Sequence, residues 1–161
     1  MEIAVEVRGL LLDPVTNSPI VVLREQAGTR LLPIWVGVFE ANAIALEIEG
    51  VTTPRPMTHD LMRRLIEQLQ GRVERVVVWA LKENTFYALI YLDAGLSEPV
   101  AVDARPSDAI ALALRAKAPI FVEEEVLVAT SRETGAGAEG IDRLRQWLEG
   151  LSEGELGKYK M

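Results

Sequence analysis

The sequence has no cysteine, which excludes disulfide staples and thiolate metal sites. It has one histidine, His59, so any metal centre would be built from oxygen donors and would suit a hard cation better than zinc. No run of about 18 apolar residues occurs, so no membrane-spanning helix and no membrane partner are expected. The opening MEIAVEVRG lacks a basic region followed by an apolar one; no signal peptide is expected, and a cytoplasmic location follows by default. No glycine-rich phosphate loop is present. Positive charge is also short. Lys and Arg number 17 against 24 Asp and Glu, giving a net charge of −7. That counts against a strong electrostatic nucleic-acid binder, while leaving room for a weak one that uses local clusters such as Arg63–Arg64 or Arg72 and Arg75. Aromatics make up 6%. Trp35, Phe86, Tyr87 and Tyr91 read as core or interface residues rather than a base-stacking platform, since Phe86 and Tyr87 are strand neighbours facing opposite sides.

What is present suits one globular domain. The chain has 161 residues, 49% of them apolar and 25% charged, and a domain of this size buries roughly 70% of its unfolded surface. Hydrophobic periodicity predicts strands over residues 2–13, 20–26, 29–36, 72–81, 85–92 and 99–103, with short strand-like runs at 119–122 and 126–128 around a solvated Glu123–Glu125 turn. Residues 38–49 read as a helix with Glu40 in its first turn and Phe39, Ala43, Ile44 and Leu46 on its apolar side. A second helix is predicted from Thr58 as cap, with Met57 and Met62 as a hydrophobic staple, Leu61, Leu65 and Leu69 as the buried stripe, and Gly71 just past its end. Strands paired as hairpins with helices between them predict an α+β fold, a mixed and largely antiparallel sheet with inserted helices in a single compact domain. This domain is expected over residues 1–129, with a flexible linker at 130–140 and an amphipathic helix and tail at 141–161 carrying Ile141, Leu144, Leu148 and Leu151.

The stretch DARPSDAIALALRAKAP, residues 103–119, organises the rest. Pro106 favours extended backbone at Arg105, Ser107 is a helix N-cap candidate, and Asp108 lies where negative charge is favoured. The following helix is apolar nearly all round and so predicted to be buried. An echo precedes it: Arg55, Pro56, Thr58 and Asp60 repeat the order Arg-Pro, hydroxyl, Asp.

Two constellations carry possible chemistry. His59 beside Asp60 could be a general base or metal ligand with its partner, or an exposed histidine behind a capping threonine. Asp103 and Asp108 could hold Mg²⁺ or Mn²⁺ while Arg105 meets a phosphate, or Asp103 and Arg105 could form a structural salt bridge. Arg55 and Arg105 each precede a helix N-terminus, a natural anion site; they could equally cross-pair with Asp108 and Asp60 and lock the core.

LPIWVGVFEANAIALEIEG, PRPMTHDL, NTFYALIYL and DARPSDAIALALRAKAPIFV, in this order and spacing, resemble the bifunctional nuclease family over about residues 1–130. The resemblance implies a compact α+β domain, homo-oligomeric, with nuclease activity on RNA and DNA. It carries over His59, Asp60, Asp103 and Asp108 as catalytic candidates and Arg55, Arg105 and Ser107 as substrate-phosphate ligands. Asp103, Asp108 and Glu40 are the metal candidates, for Mg²⁺ or Mn²⁺. The partner implied is nucleic acid, bound weakly and without sequence preference. The alternative is a non-catalytic regulatory module with a phosphate site at the two Arg-Pro helix entrances.

Overall fold

The computed structural model describes residues 1–135; the expected helix at 141–161 lies outside them. Seven strands form one sheet: β1 (Glu2–Leu12), β2 (Pro19–Glu25), β3 (Leu31–Trp35), β4 (Arg72–Lys82), β5 (Thr85–Asp93), β6 (Val100–Ala104) and β7 (Ile120–Glu123). Four helices are described: α1 (Val38–Ile48), α2 (Thr58–Gln68), α3 (Pro106–Ala116) and α4 (Glu124–Gly135). The strand order is β3-β2-β1-β7-β4-β5-β6. Every neighbouring pair is antiparallel except β4 with β7. The fold is thus α+β with a mixed, largely antiparallel sheet.

Local chemistry explains the connections. β4 and β5 are joined by Glu83 and Asn84 alone, both at positive φ, the geometry of a two-residue turn that matches the twist of a hairpin. Gly50, at φ 67, stands just past α1 and ends it, as only glycine adopts without strain. β7 is short, yet it bridges the two antiparallel halves, β1 on one side and β4 on the other. α3 lies against β4 and β5 and touches both α1 and α2. Its Ala109, Ile110, Ala111, Leu112 and Ala113 are buried, and they join Val76, Val78, Ala88 and Ile90 of the sheet in one core. Small residues on α3 let neighbouring backbones come close enough for its side chains to be reached from both flanking helices.

Four expectations need correction. Residues 126–128 are helical: Val126 and Leu127 are buried by α4 rather than by a strand, and the helix continues through residue 135, where a linker was expected. Leu61, Leu65 and Leu69 face outward, at 48%, 55% and 82% exposure. The face of α2 that meets the core instead carries His59, Met62 and Ile66. The helix ends also shift. Met57, not Thr58, is the N-cap of α2, which displaces the expected staple, and Gln70 at φ 65 precedes Gly71 in the left-handed position. Arg105, not Ser107, is the N-cap of α3, with Pro106 in the first turn, where its missing N–H costs nothing. Phe39, expected inside, is exposed, while Ala43 and Ile44 of α1 are buried.

Candidate functional site at the paired helix entrances

The first turns of α2 and α3 meet through side chains. His59 is buried, only 6% exposed, because Nε2 approaches Asp108 Oδ1 at 2.9 Å. An ionised carboxylate only accepts, so this pairing places the imidazole proton on Nε2. The other oxygen, Asp108 Oδ2, accepts from Arg105 Nε at 2.9 Å. Arg105 Nη2 in turn donates to Glu40 Oε1 at 2.7 Å. Glu40 lies in the first turn of α1, folded back over Gly37, where a Cβ would collide with its carboxylate. One chain of contacts, His59–Asp108–Arg105–Glu40, therefore joins the N-terminal turns of three helices. Arg105 is 66% exposed on its side chain, and its Nη1 makes no hydrogen bond among the described residues. The two carboxylates hold the Arg105 guanidinium charged, with a pKa raised above its ordinary value, chiefly by the Asp108 hydrogen bond and then by Glu40.

A second network lies on the other side of α2. Asp60 Oδ2 accepts from the Met57 backbone N–H at 2.9 Å, and Oδ1 accepts from Arg115 Nε at 2.8 Å. Arg115 is buried within α3, and its two Nη groups donate to the carbonyls of Ala111 and Ala43, both at 2.9 Å. Its fork thus ties α1, α2 and α3 together. Partial burial alone would raise the Asp60 pKa; the Met57 N–H and the Arg115 guanidinium outweigh it and hold the carboxyl below its ordinary value. Sequence reasoning did not single out Arg115. The signal was available: it is the one cation inside the apolar run of α3, four residues after Ala111, the spacing that lets a long side chain turn back onto its own helix.

Beside this network opens a cleft of about 290 Å³, lined by Arg55, Arg63, Arg64, Arg115, Asp60 and Glu47 together with the 51–56 loop. Arg55 is exposed and its guanidinium makes no ion pair among the described residues. Neither Arg105 nor Asp108 lines this cleft. The expected cross-pairs are therefore absent: Arg105 pairs with Asp108 and Glu40, and Asp60 with Arg115. The histidine and a different arginine couple the helices instead.

Asp103 does not join the site. It is exposed on β6, opposite Leu89 in the register. Its neighbour Ala104 packs on the core beside α3, so strand alternation turns Asp103 to the other sheet face. It makes no salt bridge with Arg105 among the described residues. Ser107 is buried in the first turn of α3 and provides no cap hydrogen bond. For a metal, Glu40 and Asp108 are the only expected ligands that converge, and both are spent on Arg105. Among the described residues no three His, Asp or Glu side chains are grouped to hold a cation. The donor set as arranged does not fit a metal centre.

The domain thus joins three helix entrances through Arg, His and carboxylates, with an arginine-lined cleft beside them. The chain belongs to the bifunctional nuclease family: the bifunctional nuclease domain matches residues 21–134. Among its relatives is an uncharacterised Mycobacterium tuberculosis protein, 40% identical over 158 residues, which cover 92% of this chain and 94% of that protein. Bifunctional nuclease 1 of Arabidopsis thaliana is 31% identical over 109 residues, 66% of this chain and 34% of the plant protein. Bifunctional nuclease 1 of Oryza sativa subsp. japonica is 27% identical over 118 residues, 72% of this chain and 36% of that protein. The matching region is thus about a third of each plant nuclease.

Proposed function

We propose that the protein is a nuclease of low sequence specificity that hydrolyses phosphodiester bonds in RNA and DNA. The observation that carries this reading is the position of Asp108, between a buried imidazole and an exposed arginine. Arg105 Nη1 donates to a non-bridging phosphate oxygen, and the guanidinium stabilises the extra charge that the phosphorane-like transition state develops. Asp108, with about a quarter of its side chain exposed, takes a proton from the attacking water. A bond forms between the water oxygen and phosphorus, the bond to the leaving sugar oxygen breaks, and that oxygen takes up a proton from solvent. His59 is sealed from substrate and reaches it only through Asp108, so it is a positioning residue: its Nε2–H fixes the carboxylate. Because no three His, Asp or Glu side chains converge among the described residues, no step is routed through Mg²⁺ or Mn²⁺.

The test is cleavage of fluorescent single-stranded RNA and DNA in Mg²⁺, Mn²⁺ or EDTA. Wild-type protein is compared with Arg105→Gln and Asp108→Asn. Cleavage that falls by roughly 10²–10³ in each variant, the usual loss for a transition-state donor, at unchanged melting temperature supports the reading. Equal cleavage by all three proteins, or none by any, overturns it. Cleavage abolished by EDTA would overturn the metal-free step alone.

A second reading has its own observation. Glu40, Asp60 and Asp108 are all paired to arginine, the first and last sharing Arg105 and the second held by Arg115, which is what a rigid binding module needs and a general base does not. In that reading the domain is regulatory, and binding without cleavage is its signature.

A further inference from the structure

We propose that the cleft beside α2 is a binding site for a phosphate monoester, separate from the Arg105 cluster and independent of whether the domain is catalytic. Of the cations lining the cleft, Arg115 is matched by Asp60 at 2.8 Å and Glu47 at 4.0 Å. Arg55 and Arg64 have no ion pair among the described residues. Arg63 has only a loose contact, 3.9 Å from its Nε to an exposed Glu67 oxygen. Within a protein of net charge −7, the cleft sets four arginines against two carboxylates, Asp60 and Glu47, both of which lean on Arg115, and so keeps an excess of positive charge.

Arg63 adds an independent observation. Its Nε is buried, yet it has no hydrogen-bond partner. A buried guanidinium nitrogen left unpaired costs stability, while the rest of the Arg63 side chain, about a third exposed, lines the cleft. The loop that supplies Arg55 is also held in shape. Pro54 and Pro56 flank it, Thr53 Oγ1 donates to the Arg55 carbonyl at 2.7 Å, and Val51 N–H donates to the Leu46 carbonyl at 2.9 Å. Binding thus needs little ordering of the backbone.

Ligand class follows from size and charge. About 290 Å³ lies at the small end of ligand pockets, enough for a phosphate with part of a nucleoside and too small for a folded partner. The excess of arginine over carboxylate in the lining favours a dianionic monoester over the single charge of a phosphodiester, because arginine forks bind phosphate in pairs of hydrogen bonds. The same chemistry has two sources, a free nucleotide or the phosphorylated end of a strand.

The experiment is calorimetric titration of the full chain. The ligands are adenosine 5′-monophosphate, adenosine, and a short single-stranded oligonucleotide with and without a 5′-phosphate. Adenosine 5′-monophosphate should bind and adenosine should not. Arg55→Gln and Arg64→Gln should each weaken binding roughly tenfold, while Arg105→Gln leaves it unchanged. A preference for the 5′-phosphorylated oligonucleotide over its unphosphorylated form assigns the site to strand ends; equal binding of the two, with the nucleotide bound, assigns it to the free ligand. No binding of either phosphate compound, or the same loss in Arg105→Gln, overturns the proposal. Adenosine 5′-monophosphate has no phosphodiester bond to cleave, so its arm stands apart from nuclease activity, and loss of one reading leaves the other standing.

Discussion

Arg115 and Arg55 carry the same charge and stand at opposite extremes of cost. Arg115 is buried with its guanidinium saturated by Asp60 and two backbone carbonyls. Removing it strands the Asp60 carboxylate and two carbonyls of α1 and α3 away from water. Arg115→Ala should lower stability by about 3–5 kcal/mol, the cost of breaking a buried pair, as measured by urea denaturation. Arg55→Ala should stay within about 0.5 kcal/mol, as for surface substitutions; a large loss at Arg55 would mean that it holds the core after all. Asp60 gives the same network a pH signature. Its folded-state pKa is depressed, so its stabilising contribution is complete above the unfolded value of about 3.9 and is lost as pH falls through that value toward the lower folded one. Wild-type stability should therefore fall more steeply with acid than that of Asp60→Asn. Parallel acid denaturation curves for the two proteins would contradict the assignment.

At the scale of elements, α2 separates what a sequence shows from what it hides. Leu61, Leu65 and Leu69 make an apolar stripe at helical spacing, and pattern alone takes such a stripe to be the buried face. Ile66 and Met62 make a second, shorter one, and they are the residues packed on the core. The first turn is held by polar pairs as well as packing: His59 meets Asp108 and Asp60 meets Arg115, and with Met62 and Ile66 on the core the leucines face outward. Long-range polar pairing of this kind leaves no periodic trace, whereas the β4–β5 hairpin and the glycine that ends α1 are written locally and were legible. Arg105 and Asp108 were legible as a pair at a helix start; that the imidazole would come from 49 residues upstream was not. Stability should report the rotation directly. Ile66→Ala should cost about 2 kcal/mol, the low end for such a truncation at a half-buried site, whereas Leu65→Ser and Leu69→Ser should change stability by about 0.5 kcal/mol or less. If the homo-oligomer implied by family resemblance forms through this outward stripe, the same two serines should shift the mass in light scattering to that of one chain.

For the whole molecule, the question is how a protein of net charge −7 approaches a polyanion. Distributed charge repels nucleic acid over distances of a Debye length, about 8 Å at physiological ionic strength, so capture has to depend on short-range contacts. Among the described residues, the arginines exposed at these helix entrances are few: Arg105, two-thirds exposed at the α3 entrance, and Arg55 and Arg64 in the cleft beside α2. Each phosphate neutralised on a single strand contributes about −0.7 to the slope of log K against log salt. Three arginines therefore give a slope of about −2, far shallower than for proteins that coat the backbone with lysine. Fluorescence anisotropy with a labelled single strand across a salt series should find that slope, reduced by about 0.7 in Arg105→Gln. A markedly steeper slope would place the nucleic acid on surfaces other than the helix entrances, and no salt dependence would mean that the strand is not held through its phosphates at all.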